Sequence, residues 1–325
     1  ESSPAPSTVQ EDPQQPAATE EETEPEQDPS PSQTADQPDE PAADAPSSSE
    51  PPEDYSIPEE YQGPIVEEDL SGSTTGNSLT FGAGIIKNST ELSNDELQTY
   101  LQADNPIQIT DDGPQVLIMH THATESFEPY DTDIYDTRHT WRTTDNTQNI
   151  VAAGEVMAEA IRSYGIEVLH DETQHDYPSY NEAYDRSLAA IQSYLAQYPS
   201  IRFILDVHRD AIEDADGNQY KVVSAVEEGT AAQLTLVVGS DGGGLSHPNW
   251  KENLKLAVAL QDTILQQYPT LMRPVLLRNS RYNQHAATGS LLVEVGAAGN
   301  SPDEAELAGR LFAQKMVEVL EGRSK

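Results

Sequence analysis

Three stretches of this sequence hold side chains able to bind a metal ion and move a proton. In the first, Gln115-Val-Leu-Ile-Met119 runs into His120-Thr121-His122-Ala123-Thr124-Glu125. In the second, Phe203-Ile-Leu205 runs into Asp206-Val207-His208-Arg209-Asp210. The third is Leu291-Leu-Val-Glu294-Val-Gly296, with a carboxylate inside an apolar run. The chain has no cysteine, which excludes disulfides, thiolate metal sites and a thiol nucleophile. Imidazole and carboxylate remain, and zinc accepts both. His122-x-x-Glu125 on a tight turn after a strand can bring both side chains to one ion. The same spacing alone also fits a polar loop with one hydrogen-bonded histidine. His208, at the end of another strand, completes a His/Glu/His set that leaves a position open to water, as catalytic zinc requires. The competing reading of His208 is a core histidine satisfied by Asp206 or Asp210.

Glu294 is the most informative single residue. A carboxylate in mid-strand is costly to bury unless it is paired or functional. A metal-bound water needs a base and a leaving amine needs an acid, and a Glu whose pKa is raised by burial serves both. The competing reading is an ion pair with Arg209, Arg278 or Arg281. Asp145 is an alternative metal ligand. Asp145-x-x-Gln148 is also a capping-box pattern, which predicts Asp145 as the N-cap of a helix beginning near Asn146. His120 lies two residues before His122, so an extended strand would point both to one side. There His120 would hydrogen-bond a ligand carboxylate from behind. His285 is the loop histidine nearest Glu294 in sequence and a candidate for substrate contact. His170, His175 and His247 read as ordinary loop residues. Gly239-Ser-Asp-Gly-Gly-Gly244 lacks the Gly-Lys-Ser/Thr ending of a phosphate loop and reads as a mobile loop or lid near the site. No Gly-x-Ser-x-Gly elbow occurs, which argues against a serine hydrolase.

The elements that must position these residues alternate. Strands are predicted at 115–119, 166–169, 201–207, 220–226, 233–238, 275–277 and 291–295. Helical spacing of apolar residues predicts helices between Ile150 and Tyr164, Tyr184 and Leu195, Leu254 and Leu265, and Leu307 and Val319. Ser93 and Ser301 read as N-caps, the latter with Pro302 and Glu304 completing the signature. Alternation of this kind predicts a three-layer α/β/α fold on a mostly parallel twisted sheet. Chemistry in such sheets gathers beyond the carboxyl ends of the strands.

Composition divides the chain. Its 325 residues carry a formal net charge of −40, and no Lys or Arg precedes Lys87. Residues 1–78, rich in Glu, Asp, Pro, Ser and Gln, are expected to be a disordered acidic tail, and 79–325 the catalytic domain. No run of about 18 apolar residues occurs. The first residue is Glu1 and not Met, so a leader or anchor is expected to precede the tail, which would then act as a tether. The acidic balance argues against nucleic acid as a partner.

Taken together and in order, these motifs resemble a known family: Val116-Leu-Ile-Met-His120-Thr-His122-Ala-Thr-Glu125-Ser126; Asn149-Ile150-Val151 with Gly154-Glu155; Asp206-Val-His208-Arg209-Asp210; and Ser290-Leu-Leu-Val-Glu294-Val-Gly296 with Asn300. They are similar to the stage II sporulation protein P family of spore-forming Gram-positive bacteria, which is related to the zinc N-acetylmuramoyl-L-alanine amidases. The resemblance covers about Leu79 to Leu320. It implies an amidase or zinc-carboxypeptidase-like sheet and a Zn2+ cofactor. His122 and His208 would be metal ligands and Glu294 the catalytic carboxylate. In the amidases the third ligand's position corresponds to Asp145, and in the carboxypeptidases to Glu125; Glu125 is placed first here, and Arg209 is assigned to steadying the oxyanion. The implied activity is cleavage of peptidoglycan between N-acetylmuramic acid and L-alanine during engulfment, with endopeptidase cleavage of crosslinks, or a non-catalytic wall-binding role, as alternatives. The implied setting is extracytoplasmic, at the outer face of the cytoplasmic membrane, beside a lytic transglycosylase and other engulfment proteins.

Overall fold

The computed structural model describes Thr8–Val9 and residues 51–322 apart from 75, 103–106 and 111–112. Strands β1 (Thr8–Val9) and β2 (Gln62–Glu68) come first. The hairpin β3 (Ser78–Phe81) and β4 (Gly84–Asn88) follows, then helix α1 (Asn94–Leu101), β5 (Val116–Met119), β6 (Ile134–Asp136), α2 (Ile150–Arg162), β7 (Val168–His170) and α3 (Ala183–Gln197). Next, β8 (Phe203–Asp210) leads through β9 (Ile212–Glu213), β10 (Gln219–Val226) and β11 (Gly229–Ala232) to β12 (Leu234–Gly239). Last are α4 (Trp250–Gln267), β13 (Val275–Arg278), β14 (Ser290–Ala297) and α5 (Pro302–Leu320).

Eight strands form the main sheet in the order β3-β4-β13-β12-β14-β8-β5-β7. Only the β3–β4 and β12–β14 pairings are antiparallel, so the sheet is mostly parallel as expected. Period-two alternation sends Val116 and Ile118 into one core with Met157, Phe312 and Leu260 from α2, α5 and α4. Leu117 and Met119 face Ile191 of α3 on the other side. The result is helices on both faces of one sheet.

The antiparallel β12–β14 pairing reverses half of that sheet. Strands β14, β8, β5 and β7 run one way; β12, β13 and β4 run the other. The glycine-rich segment after β12 therefore lies at the edge opposite the carboxyl ends of β5 and β8. It packs on Asn279 through Gly243 N and is not a lid near the histidines. Reading strand ends from sequence assumed one direction for every strand, and that assumption fails at β12.

A second sheet, ordered β1-β9-β10-β2-β6 with β11 on β10, grows from the edge where β8 ends. One residue separates β8 from β9, and one separates β11 from β12. Strand β2 pairs parallel to β10, Ile65 against Gln219, and antiparallel to β6. Ile57 and Ile65 are buried. The disordered segment expected to reach residue 78 is corrected accordingly, because 51–78 already carries ordered elements. Average composition hides this: β2 is held by backbone pairing to a distant strand and by a few apolar contacts. Residues 1–7 and 10–50 of that segment lie outside the described residues.

Helix ends follow their caps. Ser93 with Glu96 and Ser301 with Glu304 form the expected capping boxes. Helix α2 differs: Asn149 is its N-cap, accepting from Val151 N. The Asp145 carboxylate instead accepts from Thr147 N and Oγ1, which keeps the chain in a local turn before the helix. Among the described residues no helix is long and apolar enough to cross a membrane.

Candidate metal centre

Register brings the three motifs together. Met119 of β5 stands against Asp206 of β8, and His208 of β8 against Glu294 of β14. Beyond Met119 the chain leaves the strand. Thr121 anchors the turn on Asp206, donating from N at 2.7 Å to Oδ1 and from Oγ1 at 2.6 Å to Oδ2. Glu125 N then closes on His122 O at 3.1 Å, and Glu125 O accepts from Ile150 N at the start of α2. Strand alternation ends at Met119, so His120 and His122 part company, contrary to the expectation that both face the same side. His122 stacks on Tyr180 (centroids 4.5 Å) and meets Tyr184 edge-on. His120 points into the α2 side, fully buried, with Nδ1 on Val207 O and Nε2 on His170 Nε2, both at 2.9 Å. It reaches no ligand carboxylate. Gly154 makes room for that histidine pair, since a Cβ there would lie 2.5 Å from the His120 ring.

His122, Glu125 and His208 converge, with one potential ligand atom from each within 4.8 Å of the others. His122 Nδ1 is 3.7 Å from Glu125 Oε1, and His208 Nδ1 is 3.6 Å from Glu125 Oε2. The imidazole rings are 5.1 Å apart and nearly perpendicular. All three residues are buried. These separations leave room for an ion between the atoms, and the donor set of two imidazoles and a carboxylate suits zinc. His208 Nε2, on the far side of its ring, lies 2.9 Å from Asp206 Oδ1, at an angle poorer than a full hydrogen bond requires. A carboxylate behind a ligating histidine orients the ring and fixes its tautomer.

Electrostatics separate the carboxylates. Burial alone would raise the Glu125 carboxyl, but His208, Arg209 and His122 hold it well below the usual carboxylate range. Burial, reinforced by Asp210 and Glu125, pushes Glu294 well above its ordinary value, against the opposing pull of His208 and Arg273. Glu294 Oε2 is buried without a hydrogen-bond partner. Among the described residues no Lys or Arg forms an ion pair with it. Of the partners named in the competing reading, Arg209 directs its guanidinium to the carbonyls of Asp210 and Trp141; Arg273, which that reading did not name, pairs with Asp210 at 2.8 Å.

The remaining expected residues are placed as follows. Arg209 contributes its backbone N–H, which donates to Glu125 Oε2 at 3.1 Å, while its guanidinium donates to the carbonyls of Asp210 and Trp141. Asp145 is exposed, its carboxylate taken up by Thr147 and Gln148, and the cluster forms without it. His285 lies in the turn leading into β14, its ring 6.4 Å from that of His247, near the end of the strand away from Glu294. His170 is no ordinary loop residue: besides His120 it holds Glu155, at 2.7 Å. Sequence reading missed the support. Asp206 was legible as a partner of His208, since residues two apart on a strand share a face; its grip on Thr121 was not. Arg142 lies 3.7 Å from Glu125 and 2.9 Å from Asp176, which also accepts from Thr124 Oγ1. No local signal in the sequence links Arg142 or Asp176 to the turn at Thr124-Glu125.

The fold and site define an α/β protein with a candidate His/Glu/His metal centre and, beside it, a half-buried carboxylate whose shielded Oε2 has no hydrogen-bond partner. The chain belongs to the Stage II sporulation protein P (SpoIIP) family, whose family model matches residues 2–317. It is 28% identical over 232 residues to Stage II sporulation protein P of Bacillus subtilis (strain 168), covering 67% of this chain and 54% of that protein. The chain thus spans about half the length of the curated relative it matches. Among solved structures, the N-acetylmuramyl-L-alanine amidase Ami1 of Mycobacterium smegmatis shares 10% identity over 66% of this chain and 100% of its own, with a TM-score of 0.38. The CwlD amidase of Clostridioides difficile, solved with the GerS lipoprotein, shares 14% over 64% and 94%, also with a TM-score of 0.38.

Proposed function

We propose that this chain is a zinc-dependent cell-wall hydrolase of sporulation that cleaves the amide between N-acetylmuramic acid and L-alanine. Family membership supports the setting. The observation that carries the chemistry is Glu294, unpaired and raised in pKa, directly opposite His208 in a buried His122/Glu125/His208 cluster. When bound by those three residues, zinc supplies a Lewis acid and makes water a usable nucleophile near neutral pH. Glu294 takes the proton of the attacking water and returns it to the nitrogen of the leaving L-alanine. Burial raises its pKa, which makes it a better proton acceptor than an ordinary carboxylate, and among the described residues no Lys or Arg pairs with it. Asp206 holds the His208 ring from behind, and the Arg209 N–H holds Glu125. Tyr180 stacks on His122 and holds its ring in place.

In this reading the domain begins near residue 51, and the acidic segment before it is a tether. The enzyme would work outside the cytoplasmic membrane, on peptidoglycan, beside a lytic transglycosylase. The test is Glu294→Gln on purified sacculi. The expected result is loss of soluble muropeptides by at least about 100-fold with unchanged folding. A near wild-type rate would remove Glu294 from the reaction. Mass analysis of the wild-type digest should show free stem peptides; peptides cut only at crosslinks would redirect the assignment to an endopeptidase.

A further inference from the structure

A cleft of about 310 Å³ lies next to the metal centre, lined by Tyr55, Glu128, Pro129, Asp136, Arg138 and His139. That volume is at the lower end for small-molecule sites, enough for one side chain. Two residues, Ser126 and Phe127, separate Glu128 from Glu125, so the cleft and the centre lie within about 10 Å along the chain. They are also tied through ring contact: His139 lies 4.7 Å from Trp141, whose carbonyl receives Arg209.

Charges in this cleft are unevenly satisfied. Arg138 is spent on Asp136 through two bonds, leaving that pair neutral. Glu128 is 1% exposed, and its Oε2 has no hydrogen-bond partner. Its Oε1 receives only the Tyr55 hydroxyl, at 3.4 Å. Burial, with Asp136 nearby, raises the Glu128 carboxyl to about 7. A buried acid without a partner calls for an explanation. One available carboxylate beside aromatic rings, Tyr55 with Tyr130 edge-on at 4.7 Å, suits a single organic cation. A divalent metal needs several oxygen ligands, and both Asp136 oxygens are already committed.

The geometry points to this cleft as a binding site for a primary ammonium group, with Glu128 as its counter-ion and Tyr55 as its wall. It rests on the hydrolase reading for the carrier of that group, a stem peptide whose diamino acid has a free side-chain amine. Residues expected to be tether supply part of the wall, since Tyr55 belongs to the acidic N-terminal stretch.

The test is binding, independent of catalysis. The probe is the tripeptide L-Ala-γ-D-Glu-L-Lys, compared with its Nε-acetyl derivative, titrated calorimetrically into the full chain. The free amine is expected to bind about tenfold more tightly than the acetylated peptide, one charged contact's worth. Glu128→Gln should reduce that preference to within about twofold, and Glu128→Asp, which keeps the charge, should retain part of it. Equal affinity of the two peptides for the wild-type chain, or a preference that survives Glu128→Gln in a folded protein, overturns the inference. Failure of wall cleavage with the preference intact would instead count against the hydrolase reading and leave this site standing.

Discussion

Asp206→Asn tests how the candidate centre is held. Asp206 is 4% exposed. Its Oδ1 faces Thr121 N at 2.7 Å and His208 Nε2 at 2.9 Å, and its Oδ2 accepts from Thr121 Oγ1 at 2.6 Å. Asparagine can keep this arrangement. Its carbonyl takes the place of Oδ1, and its amide donates to the Thr121 hydroxyl, which already has Ser187 as a second partner. What disappears is the charge. A hydrogen bond to a charged group is worth about 1.5–3 kcal/mol against about 0.5–1.5 for a neutral one; the His208 contact is off-angle but close, so removing the carboxylate's charge there costs about 1–2 kcal/mol, chiefly through lost electrostatic attraction. Expressed as metal affinity this is roughly 5- to 30-fold, within the roughly 10- to 100-fold range for residues behind a ligating histidine. The assay is zinc competition against a chromogenic chelator at neutral pH, with circular dichroism confirming the fold. Affinity within about twofold of wild type in a folded variant would refute the idea that Asp206 orients His208 for a metal.

Other outcomes follow from the same structure. Gly154→Ala places a Cβ 2.5 Å from the His120 ring and 2.9 Å from His170 Nε2, whereas at Gly309 of α5 the nearest atom is the flexible Met157 Cγ at 2.9 Å. Urea unfolding should therefore show Gly154→Ala destabilised by about 2 kcal/mol, after crediting alanine's better helix propensity, and Gly309→Ala by less; equal effects would contradict this packing account. Glu128 gives a pH signature. Its folded value of about 7 lies above the ordinary 4.5, so the stabilisation is fully present below pH 4.5 and lost as pH rises through 7. The loss is about 3 kcal/mol at 1.36 per pH unit, and about 2 once screening at the cleft mouth is allowed for. Denaturation midpoints of wild type and Glu128→Gln should differ least below pH 4.5, separate progressively between pH 4.5 and 7 and keep a constant gap above that, with the variant gaining relative to wild type; profiles parallel across the whole range would count against the buried acid. Thr121→Val should leave β5 intact and loosen the turn that carries His122, lowering zinc affinity in the same competition assay by several-fold.

Much of the fold could be read in advance because its signals are local. Apolar runs such as 116–119 and 291–295, helical spacing from Ile150 to Tyr164, and the caps at Ser93 and Ser301 depend on neighbours in sequence. The hairpin 78–88 and strand β2 were not legible, because their pairing partners β13 and β10 lie far along the chain. The same division runs through the site. His122, Glu125, His208 and Glu294 stood out because polar residues in or just after apolar strands are costly and invite a reason. Their convergence needed registers that no local pattern encodes.

By itself the sequence determined which side chains were available: no thiol, two histidines and a glutamate at strand ends, one carboxylate in mid-strand, and an acidic stretch without cations before Lys87. Tertiary structure decided how they are used. It turned His122 away from His120 by ending β5 at Met119, and left Asp145 in a solvent-facing turn while Asn149 capped the helix. By reversing β12 it sent the glycine-rich loop to the far edge. Direction, register and the point where a strand stops are set by hydrogen bonds between residues a hundred positions apart, and those bonds exist only once the sheet has formed.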